Sequence, residues 1–235
     1  MSSTAFSHEA AAAPAPSNNT IDLLAANQLR QKLVSELEDL EKTCGTLSRE
    51  QVIVMLGQWF HPLHYFPVFL SRLISVAPEV PMQTFISRIL WQELGEGDPV
   101  LAHERIYIDT MLDGGFTETH VAKAPPLPAT QRLIDGYRDA SQDYLSGLGF
   151  LYGTEVVDLP MVSTIGELMR RCTGKQDLPW VNVHVKQEPD HVESSHGTLN
   201  SAFTDDQQRQ VLASAEDMWQ LWRDFFKSIR TEILN

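Results

Sequence analysis

Two histidines and a glutamate recur at helical spacing in the segment WVNVHVKQEPDHVE, residues 180–193. Read as a helix, the segment places His184, Glu188 and His191 at positions i, i+4 and i+7, which lie on one face. Two imidazoles and one carboxylate on a common face are suitable ligands for a transition metal such as iron, zinc or manganese. The alternative is a solvated acidic helix whose histidines share no role.

Acidic side chains also occur in two otherwise apolar stretches. Glu93 lies near the end of a mostly apolar helix, and Glu155 lies within GFLYGTEVVDLPMV. A carboxylate in apolar surroundings is costly unless it is paired or bound to a metal. His103 follows Glu93 across a predicted tight turn, so the two side chains can face inward together. The alternative to metal binding is that His103 is an ordinary hydrogen-bonded histidine in a helix and that Glu93 contacts a neighbouring helix.

Together these positions form a set of three carboxylates and three imidazoles. Six mixed oxygen and nitrogen ligands exceed what one structural zinc ion uses, and they suit two iron ions inside a helical bundle. The candidate ligands are Glu93, His103, Glu155, His184, Glu188 and His191. Three other histidines are interpreted as structural or surface residues: His61, His64 and His120.

The hydrophobic pattern predicts an all-α fold that can position such a set. Apolar residues recur at helical spacing in residues 21–40 and again along the last helix, residues 211–233. The sequence contains no period-two alternation, hairpin signal or internal repeat. We expect about seven or eight helices in one domain, residues 20–235. Residues 1–19, rich in Ala, Ser and Pro, are expected to be a disordered leader.

Start and stop signals place individual helices. A helix from Thr20 is expected to end near Gly45, because glycine suits the first position after a helix. The pair Asp98-Pro99 is expected to start the helix that carries His103. Residues 114–127 are expected to form a loop.

Composition excludes several classes of function. The formal charge of −13, from 18 basic and 31 acidic residues, disfavours binding to nucleic acid or to anionic membrane surfaces. Cys44 and Cys172 form no C-x-x-C motif, so neither a zinc-thiolate site nor a disulfide framework is expected. This cysteine usage is typical of a reducing compartment, and we expect a cytoplasmic location. The sequence has no apolar run of about 18 residues, so no transmembrane span is expected.

Three segments resemble the heme-oxygenase-like di-iron oxidases and oxygenases, which share their architecture with thiaminase-type and pyrroloquinoline-quinone-synthase-type bundles. The segments WQELGEGDPVLAH, GTEVVDLP and WVNVHVKQEPDH are similar to that family's E-x(6–9)-H, E…(A)P and H-x3-D-x2-H segments. The resemblance spans most of the chain and implies a bundle that holds two Fe(II) ions. It implies that one iron is held by Glu93, His103 and Glu155, and the other by Glu155, as a bridge, with His184, Glu188 and His191.

Two features depart from the family pattern. Glu188 stands where the family usually has Asp, and its side chain reaches one methylene further. Pro189 removes one backbone donor from the ligand helix. Both features are expected to loosen the second iron site.

The resemblance implies an enzyme that activates O2 at two Fe(II) ions and oxidises a small amino-acid-like or carboxylate substrate. The expected reaction is N-oxygenation or oxidative carbon–carbon cleavage in a specialised biosynthetic pathway. The enzyme could use an external electron donor and could form a homodimer. Arg88 or Arg170 is a candidate to bind a substrate carboxylate. Several aromatic residues are candidates either for a pocket wall or for the core: Trp59, Phe60, Tyr65, Trp91 and Tyr152.

Three other functions compete with this one. A metal-free binding or cofactor-oxidising bundle would not require all six ligands. A thiaminase-type hydrolase would need a catalytic cysteine, and neither Cys44 nor Cys172 has an activating histidine nearby in sequence. A self-sacrificing aminobenzoate synthase carries its modified tyrosines upstream of the first ligand glutamate, whereas no tyrosine precedes Tyr65 in this chain.

Overall fold

The structure, a computed structural model, describes residues 20–199 and 203–234. The expected leader, residues 1–19, lies outside them. The described residues contain ten α-helices and no β-strand, and none of these helices has both the length and the apolarity needed to cross a membrane. The helices are α1 (Thr20–Ala25), α2 (Gln28–Thr43), α3 (Arg49–Val76), α4 (Val80–Glu93), α5 (His103–Asp113), α6 (Glu118–Ala122), α7 (Pro128–Ala140), α8 (Tyr144–Thr173), α9 (Pro179–Leu199) and α10 (Asp205–Leu234).

The all-α class is confirmed, and the helix count exceeds the expected seven or eight for two reasons. The first expected helix is divided into α1 and α2, because the Asn27 side chain accepts a hydrogen bond from the backbone N–H of Leu29, at 2.9 Å, and starts a new helix there. Part of the expected loop 114–127 instead forms the short helix α6, which the Thr117 side chain caps.

Capping boxes begin the two long helices α3 and α10. The Ser48 hydroxyl accepts from the backbone N–H of Gln51, while the Gln51 side chain accepts from the Ser48 N–H at 2.8 Å. Thr204 and Gln207 make the same reciprocal pair before α10. Each box satisfies two backbone donors that the first helical turn leaves free.

Close packing between α8 and α10 forms much of the core. The apolar stripe expected along the last helix is buried throughout, from Val211 to Ile233. The two helices approach closely at Gly149, where a side-chain Cβ would lie 2.5 Å from the carbonyl oxygen of Val211. Trp219 also donates a hydrogen bond from its indole N–H to the carbonyl of Gly153, at 2.8 Å. The position of α8, which carries Glu155, is therefore fixed against α10.

Helix α9 lies where it can contribute to a site built from several helices. It packs against α8 and α4, and also contacts α5. Its buried face therefore meets the middle of α8 and the neighbouring ends of α4 and α5.

We predict that Gly149→Ala destabilises the fold, because the added methyl group would overlap the backbone of α10. We expect the free energy of unfolding to fall by about 1–3 kcal/mol, measured by urea unfolding. Gly153→Ala is the matched control on the same helix, because its Cβ would lie 3.3 Å from the nearest atom, in Met218. Equal stability of the two variants would contradict the close approach at Gly149.

Candidate metal centre

A turn of nine residues, 94–102, brings Glu93 and His103 together. Glu93 is the last residue of α4 and His103 is the first residue of α5. Gly95 has a φ of 83°, a conformation that favours glycine, and a Cβ there would overlap the backbone of Asp98 and Ala102. The chain can therefore reverse within this short turn, and the two side chains face the interior from adjacent helix ends.

The structure corrects the start of the helix that carries His103. Asp98 accepts a hydrogen bond from the backbone N–H of Val100, at 3.0 Å, as its expected capping role requires. However, Asp98 caps only a single 3-10 turn, Pro99–Leu101, and α5 begins at His103. The free first-turn N–H groups of α5 consequently lie beside the site.

The other four candidate ligands lie on α8 and α9. They are Glu155 in α8 and His184, Glu188 and His191 on the buried face of α9. Pro189 lies on the exposed face, and α9 continues without a break on both sides of it. All six candidate side chains are at most 5% exposed, which is unusual for carboxylates and indicates a specific polar cluster.

The six side chains form two triads, in each of which one potential ligand atom per residue lies within 4.8 Å of the others. The first triad is Glu93, His103 and His184, and the second triad is Glu155, Glu188 and His191. This grouping differs from the expected one, in which Glu155 joined Glu93 and His103 while His184 joined the second iron. The reason is that α9 crosses both groups: the His184 ring lies next to the His103 ring, with 4.6 Å between their centroids.

His191 connects the two triads. Its Nδ1 lies 3.4 Å from Glu155 Oε2 and 3.9 Å from Glu188 Oε2, both in its own triad. The same atom lies 3.9 Å from Glu93 Oε1 in the first triad. The two groups are therefore parts of one centre.

Hydrogen bonds fix which nitrogen of each first-triad histidine faces the centre. His103 Nε2 lies 2.7 Å from Gln187 Oε1, and His184 Nδ1 lies 2.8 Å from the carbonyl oxygen of Trp180. Because both partners are acceptors, these nitrogens carry the protons, and a neutral ring then presents His103 Nδ1 and His184 Nε2 to a metal. The Gln187 amide is oriented in turn, since its NH2 donates to Glu96 at 3.2 Å.

Several ligand atoms are buried without a hydrogen-bond partner among the described residues. They are His103 Nδ1, Glu155 Oε1, Glu188 Oε1 and His191 Nε2. His103 Nδ1 lies 3.1 Å from Glu93 Oε1, but the two atoms are not aligned for a hydrogen bond. Buried polar atoms without partners destabilise a fold, whereas a bound cation would satisfy them. The donor set therefore fits metal ions.

The electrostatics of the first triad favour an ionised carboxylate. Burial alone would raise the pKa of Glu93, but attraction to the positive charges of His103 and His191 lowers it to about 2. Burial and the positive charge of His103 lower the pKa of His184 to about 3. The His184 ring is consequently neutral, which is the form that binds a metal.

The second triad holds more negative charge than its surroundings can balance. Burial, followed by repulsion from Asp158 and Glu155, raises the pKa of Glu188 well above its ordinary range. Burial opposes charge on His191 as well, but attraction to Glu155 and Glu93 raises its pKa to about 9. Metal binding to this triad would therefore displace protons from both residues.

A cavity of about 40 Å³ adjoins both triads. Its ligand-bearing wall contains Glu93, Glu155, His184 and His191, and its other walls are mostly apolar or aromatic: Trp59, Pro62, Leu63, Phe66, Tyr137, Thr154 and Trp222. Of the five aromatic candidates, Trp59 is a wall residue, whereas Phe60, Tyr65, Trp91 and Tyr152 do not line the cavity. Neither Arg88 nor Arg170 lines it.

Sequence reasoning missed two residues of this centre. Asp158 lies one helical turn after Glu155 in GTEVVDLP, and its side chain also lines the cavity. Burial and repulsion from Glu93 raise its pKa to about 6. The spacing i, i+3 on an apolar helix was the available signal for Asp158. Nothing in the sequence pointed to Gln187, because it can accept a hydrogen bond from His103 only where α9 approaches the start of α5.

The histidines interpreted as structural have partners outside the centre. His61 Nε2 lies 2.9 Å from the carbonyl oxygen of Ala124, and His64 pairs with Glu104 at 2.8 Å. His120 completes the capping box of α6. These contacts confirm that interpretation.

Comparisons with known proteins agree with the fold and with the chemistry of the donor set. A family model described as iron-containing redox enzyme matches residues 54–223. No curated protein matches the chain. Solved structures with the same heme-oxygenase-like fold are similar over most of their length, at identities that show the fold alone.

One of these structures is a CADD-like protein of unknown function from Nostoc punctiforme, with 14% identity, a TM-score of 0.76 and coverage of 92% of this chain and 96% of that one. A second is a domain of unknown function with a heme oxygenase-like fold from Shewanella denitrificans, with 17% identity, a TM-score of 0.69 and coverage of 87% and 91%. A third is a TenA homolog from Pseudomonas syringae, with 10% identity, a TM-score of 0.59 and coverage of 87% and 93%.

We predict that Gln187→Leu weakens metal binding, because it removes the acceptor that orients the His103 ring. Loss of such a supporting contact costs about 10–100-fold in metal affinity, which anaerobic titration with Mn²⁺ would measure. Lys186→Leu is the matched control, since Lys186 is the exposed neighbour on α9. Equal affinity of the two variants would show that Gln187 does not orient His103.

Proposed function

Because the chain belongs to the family of iron-containing redox enzymes, we propose that its two triads hold two iron ions and that it uses O2 to oxidise a small substrate. The observation that supports this most directly is the pair of buried triads on one cavity, with only 3.9 Å between His191 Nδ1 and Glu93 Oε1. A single metal ion would leave half of this donor set buried without a partner.

The donor set supports a catalytic metal site over a structural zinc site, and the family supports iron as the metal. One ion would be held by Glu93, His103 and His184, and the other by Glu155, Glu188 and His191. Three donors for each ion leave coordination positions open, as a catalytic site requires, whereas structural zinc sites are closed and mostly use cysteine. When bound, two ferrous ions supply electrons and Lewis acidity for the reductive activation of O2.

The chain's own residues hold the ligands in place and exclude bulk water. Gln187 and the carbonyl of Trp180 orient the first-triad imidazoles. On the far side of the cavity, Trp59 and Trp222 pack with their ring centroids 5.5 Å apart, and both side chains are buried. This aromatic wall protects a reactive centre from side reactions with water.

The size of the cavity limits what can react there. A volume of about 40 Å³ holds roughly two or three water molecules, so it admits O2 and only the reacting end of a small substrate. The resemblance to di-iron oxidases favours an amino-acid-like or carboxylate substrate, oxidised by N-oxygenation or carbon–carbon cleavage. An external electron donor, a homodimer and a cytoplasmic location remain predictions.

A thiaminase-type hydrolase is the second candidate, because a TenA homolog shares the fold. The described cavity walls contain no cysteine. Cys172 is only partly buried and lies beside Arg49, with 4.0 Å between its Sγ and the guanidinium. A cysteine nucleophile must reach the substrate, so the geometry favours the metal-dependent oxidase.

We predict that the metal-free chain takes up close to two ferrous ions under nitrogen. Iron content after desalting measures this stoichiometry directly. Glu93→Ala and Glu155→Ala each remove one carboxylate from a different triad, and each should lower the content to one ion or less. Less than half an ion per parent chain, with both variants unchanged, would contradict the proposal.

We also predict that turnover requires O2 and iron together. The test incubates iron-loaded protein with a panel of small amino acids, amines and carboxylic acids, in air and under nitrogen, and follows products by mass spectrometry. Glu93→Ala should be folded, by circular dichroism, and inactive. Product formation under strict nitrogen, or by metal-stripped protein, would contradict an O2-dependent oxidase.

A further inference from the structure

Asp158 is an acidic residue of α8 that no cap or surface ion pair explains. It follows Glu155 by one helical turn, and its Oδ2 is shielded from solvent without a hydrogen-bond partner among the described residues. The side chain lines the cavity together with residues of both triads. An unpartnered carboxylate oxygen inside a protein destabilises the fold unless something binds it.

Asp158 interacts with a second acid, Glu188, across the packed α8–α9 interface. Glu188 Oε1 is also buried without a partner. Two ionised carboxylates have no hydrogen to donate, so only a proton or a cation can satisfy them together.

The charge of the proposed centre points to the cation. Two ferrous ions carry four positive charges, whereas the ionised carboxylates of the two triads, Glu93, Glu155 and Glu188, supply three negative charges. Histidine ligands are neutral when they bind metal. A fourth carboxylate would make the buried centre neutral, which lowers the cost of placing it in an apolar interior. Asp158 is the only other carboxylate on the described cavity wall.

We propose that Asp158 is a positioning residue for the second metal ion: it balances the charge of that ion and holds the Glu188 carboxyl at the second triad. This inference rests on the proposed two-metal function. It assigns Asp158 no direct bond to metal, because the close grouping of ligand atoms in the second triad does not include it. It acts through Glu188 and through its own charge.

The inference predicts that loss of the Asp158 charge affects one metal ion and spares the other. Asp158→Asn keeps the size of the side chain and removes the charge. The protein is titrated with Mn²⁺ under nitrogen. Calorimetry measures the affinities of the two binding steps, and the electron paramagnetic resonance signal of two coupled Mn²⁺ ions reports when both sites are filled. We expect an unchanged first step and a second step weakened about 10–100-fold, with loss of the coupled signal.

Control variants separate this role from a structural one. Asp158→Glu retains the charge and should keep the second step within a few-fold of the parent. Asp190→Asn removes an exposed aspartate from the ligand helix and should change neither step. If Asp158→Asn does not fold, Asp158→Ser removes the charge with less volume and carries the same expectation. In the double variant Asp158→Asn/Glu188→Gln, the loss of affinity at the second step should be smaller than the sum of the two single losses, because part of the effect of Asp158 passes through Glu188.

Each outcome decides the inference. If Asp158→Asn weakens both binding steps equally, or changes neither, the proposed role of Asp158 is overturned. The two-metal function still stands in that case, provided that the parent chain binds two ions. A parent chain that binds a single Mn²⁺ ion or none would overturn the two-metal function and, with it, this inference.

Discussion

Burial of carboxylates and imidazoles in an apolar helical bundle is the constraint on which the centre depends. Glu93, Glu155 and Glu188 are at most 5% exposed, and ionised carboxylates in such places require compensating charge or hydrogen bonds. The three histidines provide only part of that compensation, because His184 is held neutral by its surroundings. The remaining imbalance favours the binding of cations at this cluster.

Two local features of the backbone place these groups together. The turn that contains Gly95 ends α4 at one ligand and begins α5 at the next, so Glu93 and His103 need no flexible loop between them. Helix α9 then passes along α8 and the ends of α4 and α5, and its helical repeat gives one histidine to each triad. The tight approach of α8 to α10 at Gly149 fixes the side of the centre that Glu155 occupies.

Much of this could be predicted from the sequence, because the relevant signals are local. Helical spacing identified His184, Glu188 and His191, and the acid in an apolar stretch identified Glu155. The two side-chain triads are grouped differently from the predicted ligand sets, since the grouping depends on how α9 crosses its neighbours. Pro189 lies on the exposed face and α9 continues past it, whereas the expected loosening of the second iron site stays a prediction.

The residues that support the ligands could not be predicted in the same way. Gln187 looks like any polar residue on a helix, and only the approach of α9 to His103 gives it an acceptor role. Asp158 had a weak signal in its spacing from Glu155, but its interaction with Glu188 depends on how α8 and α9 pack against each other. Contacts between helices, and the charge balance that they create, are properties of the folded chain.

Anomalous X-ray diffraction from crystals grown under nitrogen with ferrous iron tests the central claim most directly. Data collected on the two sides of the iron absorption edge locate each iron atom without reference to activity. The account predicts two iron peaks beside the cavity. One should lie within bonding distance of Glu93, His103 and His184, and the other within bonding distance of Glu155, Glu188 and His191. A single peak, or iron bound only at the protein surface, would contradict it.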